Sequence, residues 1–200
     1  MIRKDNEETR REASRIIAAG GVIAFRTDTF YGLGADPLNA PAVRRINELK
    51  GREDKPILLL ISDLVQVDRF VAQAEFFKLT AAPHWPAPLT LIGVALGHVP
   101  AELTAGTNTI GLRLPDDEDV RDLVRICGGS LTATSANTSG EPPARTAKEV
   151  EQYFPNGIDL IVDGGAVTAD QPSTVLDVSA GKARLLREGA VSRETLKDLL

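Results

Sequence analysis

Four stretches of this sequence gather residue types that can act on a small polar ligand. The first, Thr27-Asp28-Thr29-Phe30-Tyr31-Gly32-Leu33-Gly34, follows a short apolar run. Its hydroxyls can hydrogen-bond a ligand, and Gly32 and Gly34 permit close backbone approach. A merely solvated, turn-rich loop has the same composition. The second, Lys50-Gly51-Arg52-Glu53-Asp54-Lys55-Pro56, sets three cations close together between a helix end and an apolar run. Arg offers a bidentate fork for phosphate and Lys a mobile point charge, a pairing able to hold a triphosphate. The same residues also suit a helix C-terminus, where Lys50 complements the dipole and Glu53 and Asp54 dilute the patch. In the third, residues 131–140, six of ten side chains carry a hydroxyl or amide, Ser135 and Asn137 among them. Such a segment can present hydroxyls and backbone N–H groups to an anion, or simply cap a loop. The fourth is dispersed: Ser173 and Thr174 precede one apolar run, Arg187 ends another, and Arg113 ends a third. Arginines at strand ends suit either a charged ligand or open surface.

Several chemistries lack their motif. There is no G-x-x-x-x-G-K-[ST] phosphate loop, no G-x-G-x-x-G fingerprint and no G-x-S-x-G nucleophile turn. His84 and His98 are too few and too far apart for a zinc site, and Cys127 has no second cysteine. No metal ligand is therefore assigned to a protein side chain. The single cysteine excludes an internal disulfide and fits a reducing compartment. The formal charge of -5 argues against a surface committed wholly to nucleic acid, while leaving room for a local basic pocket. The charged N-terminal stretch is helical in pattern and lacks the apolar centre of a signal peptide. No apolar run approaches the roughly 20 residues that span a bilayer. The expected location is cytoplasmic, with no membrane partner.

The elements that position these clusters follow from periodicity. Residues 7–19 form an amphipathic helix stopped by Gly20-Gly21, and 22–25 a short strand. Residues 27–38 form a Gly-rich loop. Asn39 caps a helix reaching Lys50, with Gly51 as its stop. Residues 56–61 form a fully buried strand. Helices follow at 64–71 and 75–82, then strands at 89–96 and 109–114. A helix at 118–126 precedes a strand at 130–134 and a polar loop. A helix at 147–153, strands at 158–162, 175–178 and 183–186, and a last helix capped by Ser192 complete the chain. Several strands are adjacent in sequence, so the pattern predicts an α/β fold with a mixed sheet. With 200 residues, one domain over 1–200 is expected.

Taken in order, the clusters resemble the YrdC family over almost the whole chain. The family's P-T-[DE]-T-x-Y-G-L appears at 26–33 and its K-x-R-x-x-x-P stretch at 50–56. W-P-G-P-L-T appears at 85–90, S-A-N-x-S-G at 135–140, and the closing S-T-V and L-R-x-G-A elements at 173–175 and 186–190. Each is weak alone; five in this order are specific. Arg26 stands where the family has Pro, and Ala87 where it has Gly. The chain is similar to the family's short, single-domain bacterial form.

The resemblance implies a twisted open sheet around one large, positively charged cavity. It also implies a nucleotidyltransferase that joins L-threonine, bicarbonate (or CO2) and ATP into threonylcarbamoyl-AMP and pyrophosphate, with Mg2+ expected. A transferase complex would then carry the threonylcarbamoyl group to tRNA. On this resemblance Lys50 and Arg52 clamp the phosphates, and Ser135, Asn137, Thr109 and Arg187 complete the ATP site. Thr27, Arg113, Ser173 and Thr174 would receive threonine. Phosphoryl chemistry of this kind needs positioning and charge neutralisation more than an acid–base pair, which suits the scarcity of His. Two other readings stay open: an RNA-binding protein using the same cavity for tRNA or double-stranded RNA, and a paralogue with another acceptor, for which Arg26 is the motive.

Overall fold

The computed structural model describes residues 1–51 and 55–200. It begins with β1 (Ile2–Lys4), α1 (Glu7–Ala18), β2 (Ile23–Arg26), β3 (Tyr31–Gly34) and α2 (Ala40–Lys50). β4 (Leu58–Ile61), α3 (Ala74–Ala81), β5 (Leu89–Val94), α4 (Ala101–Thr104) and β6 (Thr109–Arg113) follow. The rest comprises α5 (Glu118–Ile126), β7 (Ser130–Ser135), α6 (Ala147–Tyr153), β8 (Leu160–Asp163), β9 (Thr174–Asp177) and β10 (Arg184–Arg187).

The strands form one mixed ten-stranded sheet in the order β1-β8-β2-β3-β7-β4-β6-β5-β9-β10. β7 is the hinge of this order. Its first residues, Ser130 to Ala133, pair antiparallel with β4, while Thr134 and Ser135 pair with Leu33 and Gly32 of β3. β7 is thus held from both sides, and Thr134 and Ser135 at its end line a cavity.

Alternation along the strands explains the two apolar layers. In β2, Ala24 joins one buried cluster with Leu33, Ile46 and Leu59. Ile23 and Phe25 join the other, beneath α1 and α5, with Ile17, Leu60, Leu123 and Val162. Leu59 and Ile61 likewise face away from Leu60. α1 starts where the side chain of Asn6 accepts from Thr9 N at 2.9 Å. α2 starts at Asn39 and ends at Gly51, whose φ of 59° is the left-handed conformation glycine favours.

Four local expectations are corrected. Residues 2–4 form an edge strand along β8 where a helical pattern was read; three residues are too few to carry a period. The loop at 27–38 contains β3, all four of whose residues are buried between β2 and β7. The helix at 64–71 is a 3₁₀ segment, Leu64–Arg69, started by Asp63. The last helix shrinks to one 3₁₀ turn, Glu194–Leu196, although Ser192 Oγ does accept from Thr195 N at 3.2 Å. Among the described residues no helix is long and apolar enough to cross a membrane.

Candidate active site

The hairpin between β2 and β3 is closed by one hydroxyl. Thr27 Oγ1 donates to the Phe30 carbonyl at 2.7 Å and accepts from Thr29 N at 3.1 Å and Phe30 N at 3.3 Å. This turn presents Asp28 and Thr29 to the end of β6, where Arg113 lies. Arg113 Nη2 stands 3.0 Å from Asp28 Oδ1, with both side chains almost fully buried. Its Nη1 donates to Thr29 Oγ1 at 3.3 Å and its Nη2 to Thr27 Oγ1 at 3.4 Å. Burial pushes the Arg113 pKa down, Asp28 opposes that, and Arg187 adds to it. A guanidinium starts so high that it keeps its charge.

The corner is incomplete. Arg113 Nε is buried without a hydrogen-bond partner among the described residues, while Asp28 Oδ1 has the ion pair with Nη2 as its contact. Buried polar atoms are normally paired, so an unpaired one in a cavity wall marks a place for a ligand or water. Arg113 lines a cavity of about 780 Å³, inside the range of small-molecule sites.

Ser135 and Asn137 form a second wall. Asn137 Nδ2 donates to the carbonyls of Thr138 at 2.9 Å and Glu141 at 2.6 Å. Behind them Lys50, buried at the end of α2, donates to the Ser135 carbonyl and to Asn137 O at 2.7 Å, with Asn137 Oδ1 at 3.4 Å. Lys50 thus holds the 135–137 backbone from the far side and is not part of the cavity lining. Arg52 lies outside the described residues.

The third wall comes from the C-terminal strands. Arg187 donates through Nε and Nη2 to the Ser173 carbonyl at 3.1 and 2.8 Å, and Ser173 Oγ meets Thr90 Oγ1 at 3.0 Å. Thr109 lines the cavity with its hydroxyl 2.9 Å from that of Thr107. Thr174 is placed elsewhere. It donates to the Val191 carbonyl at 2.5 Å and accepts from Gly189 N and Val191 N, closing the C-terminal turn outside the lining.

The cavity therefore gathers Thr27, Thr109, Arg113, Ser135, Asn137, Ser173 and Arg187 from separate stretches, and leaves Lys50 and Thr174 behind its walls. Sequence reasoning passed over Thr29, Asp28 and Thr90. The first two sat inside a quoted cluster, but nothing in the sequence showed that Arg113 would reach them. Among the described lining residues Arg113 and Arg187 stand with Glu141 and Asp177, so the wall is mixed in sign. Arg26 does not line the cavity; it pairs with Asp117 at 2.7 Å. Ala87, where the family has Gly, does not need glycine's conformational freedom, since positive φ among the described non-glycine residues occurs at Ala105 and Asn108. Burial pushes the Cys127 thiol up to about 12, which makes it a poor nucleophile.

The sequence model of the Sua5/YciO/YrdC family, described as telomere recombination, matches residues 15–189. The chain belongs to this family. A family relative from Thiobacillus denitrificans, named threonylcarbamoyl-AMP synthase, is 39% identical over 82% of this chain and 87% of its own length. One of the same name from Pyrococcus abyssi is 35% identical over the whole chain. The chain spans 59% of that archaeal protein's length. The structure of P. abyssi Sua5 complexed with L-threonine superposes with a TM-score of 0.94 at 33% identity, covering 100% of this chain and 61% of the other.

Proposed function

We propose that this chain is an L-threonylcarbamoyladenylate synthase, a nucleotidyltransferase that makes threonylcarbamoyl-AMP and pyrophosphate from L-threonine, bicarbonate or CO2, and ATP. The observation that carries the reading is the Arg113 corner: a buried guanidinium with an unmatched Nε, beside two threonine hydroxyls, on the wall of a cavity that also reaches Ser135 and Asn137. A buried arginine fork suits a carboxylate better than any other small anion except phosphate. The names of the relatives, and the L-threonine in the P. abyssi complex, support the amino-acid assignment.

In this reading Arg113 takes the threonine carboxylate, with Thr27 shaping the turn and Thr29 offering its hydroxyl. The threonine amine adds to CO2 and loses a proton, giving a carbamate. A carbamate oxygen then attacks the α-phosphorus of ATP, the bond to the β-phosphate oxygen breaks, and pyrophosphate leaves. The residues contribute position and charge rather than covalent chemistry. Ser135 and Asn137 hold the nucleotide, Arg52 clamps its phosphates, and Thr109, Ser173 and Arg187 border the remaining volume. Lys50 enters as a positioning residue, because its ammonium already holds the carbonyls beneath Ser135 and Asn137.

Mg2+ is proposed as the companion of the triphosphate, whose charge it would share. Glu141 and Asp177 are the carboxylates on the wall, and among the described residues no three His, Cys, Asp or Glu side chains converge on one point. A hard cation would then take most of its oxygens from phosphate and water. The product would pass to a partner complex that acts on tRNA.

The test is direct. Purified protein with L-threonine, bicarbonate, Mg2+ and ATP should release pyrophosphate and form the mixed anhydride, and neither should appear without threonine. Threonine-independent ATP cleavage, or no cleavage at all, would sink the reading.

A further inference from the structure

We infer that the bare backbone of Gly32 is a ligand-contact surface, against which the amino acid held by Arg113 lies at its border with Ser135. The inference rests on the function proposed above and adds a residue to its amino-acid site.

A glycine inside a strand is unfavourable by roughly 0.5–1 kcal/mol relative to alanine, so its presence needs a reason. Four strand glycines can be compared. A Cβ on Gly34 would stand 2.7 Å from the Phe25 ring, and one on Gly93 2.9 Å from the Phe77 ring. A Cβ on Gly111 would stand 3.1 Å from Thr90 Cγ2. At Gly34 and Gly93 the protein fills the space, and at Gly111 a methyl would press on Thr90. Gly32 is different. Its Cβ would meet Thr134 O and Thr27 Cγ2 at 3.5 Å and Ala133 Cβ at 4.0 Å, all ordinary contacts. Nor does its backbone need glycine, for Gly32 is not among the residues with positive φ.

The protein thus has both the room and the conformation for alanine at 32. The added methyl would sit among Thr27, Ala133 and Thr134, each of which lines the cavity, as Gly32 does. The space left open belongs to the cavity. Glycine in a strand with no protein atom in the way marks close approach by something else. Gly32 pairs with Ser135 across the strands and adjoins Thr27, whose hydroxyl Arg113 reaches. The ligand that fits that position is the one bearing a carboxylate for Arg113.

Two variants test this, Gly32→Ala and Gly34→Ala, each followed by thermal unfolding and by calorimetric titration with L-threonine and with ATP alone. Gly32→Ala should keep the wild-type Tm and ATP affinity while its threonine Kd rises roughly 10- to 200-fold, the range for one methyl group in a fitted pocket. Gly34→Ala should lower Tm through overpacking against Phe25. Wild-type threonine binding by Gly32→Ala, or a fall in its Tm like that of Gly34→Ala, overturns the inference alone. Absence of threonine binding by the wild-type protein strikes the proposed function and the inference with it.

Discussion

The two polar walls of the cavity use their hydrogen bonds in opposite ways. At the Ser135–Asn137 wall the bonds are directed inward: Lys50 bonds backbone carbonyls, and Asn137 Nδ2 bonds two more. At the Arg113 wall, capacity is left over. Arg113 Nε is buried and unmatched among the described residues. The first wall uses polar groups to fix the shape of a backbone. The second keeps a polar group for a visitor, at a cost that binding can offset. Counting polar side chains in a cavity therefore does not separate ligand contacts from scaffolding; counting their uncommitted donors and acceptors does.

The comparison breaks or sharpens on substitutions at three positions. The largest effect is expected at Arg113. Arg113→Ala leaves Asp28 as an uncompensated buried carboxylate and should lose about 3–5 kcal/mol in chemical denaturation. Arg113→Lys keeps the charge but not the fork. It should fold, and should weaken threonine binding by roughly 10- to 100-fold, the worth of one hydrogen bond to a charged group. If Arg113→Lys binds threonine like wild type, the reserved capacity of that wall has no ligand role.

Lys50→Met comes next. It deprives the Ser135 and Asn137 carbonyls of their shared donor, for a loss of about 1–3 kcal/mol of stability. ATP affinity should fall with the distorted loop, while threonine affinity stays at the wild-type value because the Arg113 wall is separate. Loss of both affinities together would show that the two walls are one unit. A variant that is fully stable but inactive would return Lys50 to the role of phosphate ligand.

The smallest effect belongs to Thr174→Val. It removes the hydroxyl that closes the C-terminal turn and should lose about 1 kcal/mol in stability, with ligand affinities unchanged. A selective loss of threonine binding would place Thr174 in the site after all.

Much of the fold was legible in local pattern. Asn39 and Gly51 bracket α2 because a side-chain acceptor and a left-handed glycine are chemical requirements of helix ends. β3 was missed because Tyr31-Gly32-Leu33-Gly34 has no strand-like run; it is a strand because β2 and β7 flank it and Phe25 fills the space above Gly34. The site residues divide the same way. Seven proposed positions share the cavity, whereas Lys50, a cation like Arg113 and Arg187, and Thr174, a threonine like Thr27 and Thr109, turn away from it.

The order of its polar clusters was enough to place this chain in its family and to name the residue types a nucleotide and an amino acid would need. Side-chain chemistry and helix-end rules act over a few residues, so a linear string carries them. The direction each side chain faces was decided only by the folded sheet. The partner change along β7, the burial of Arg113 against Asp28, and the open space over Gly32 depend on strands far apart in the chain. A hydrogen bond is committed or left over only once those neighbours are in place.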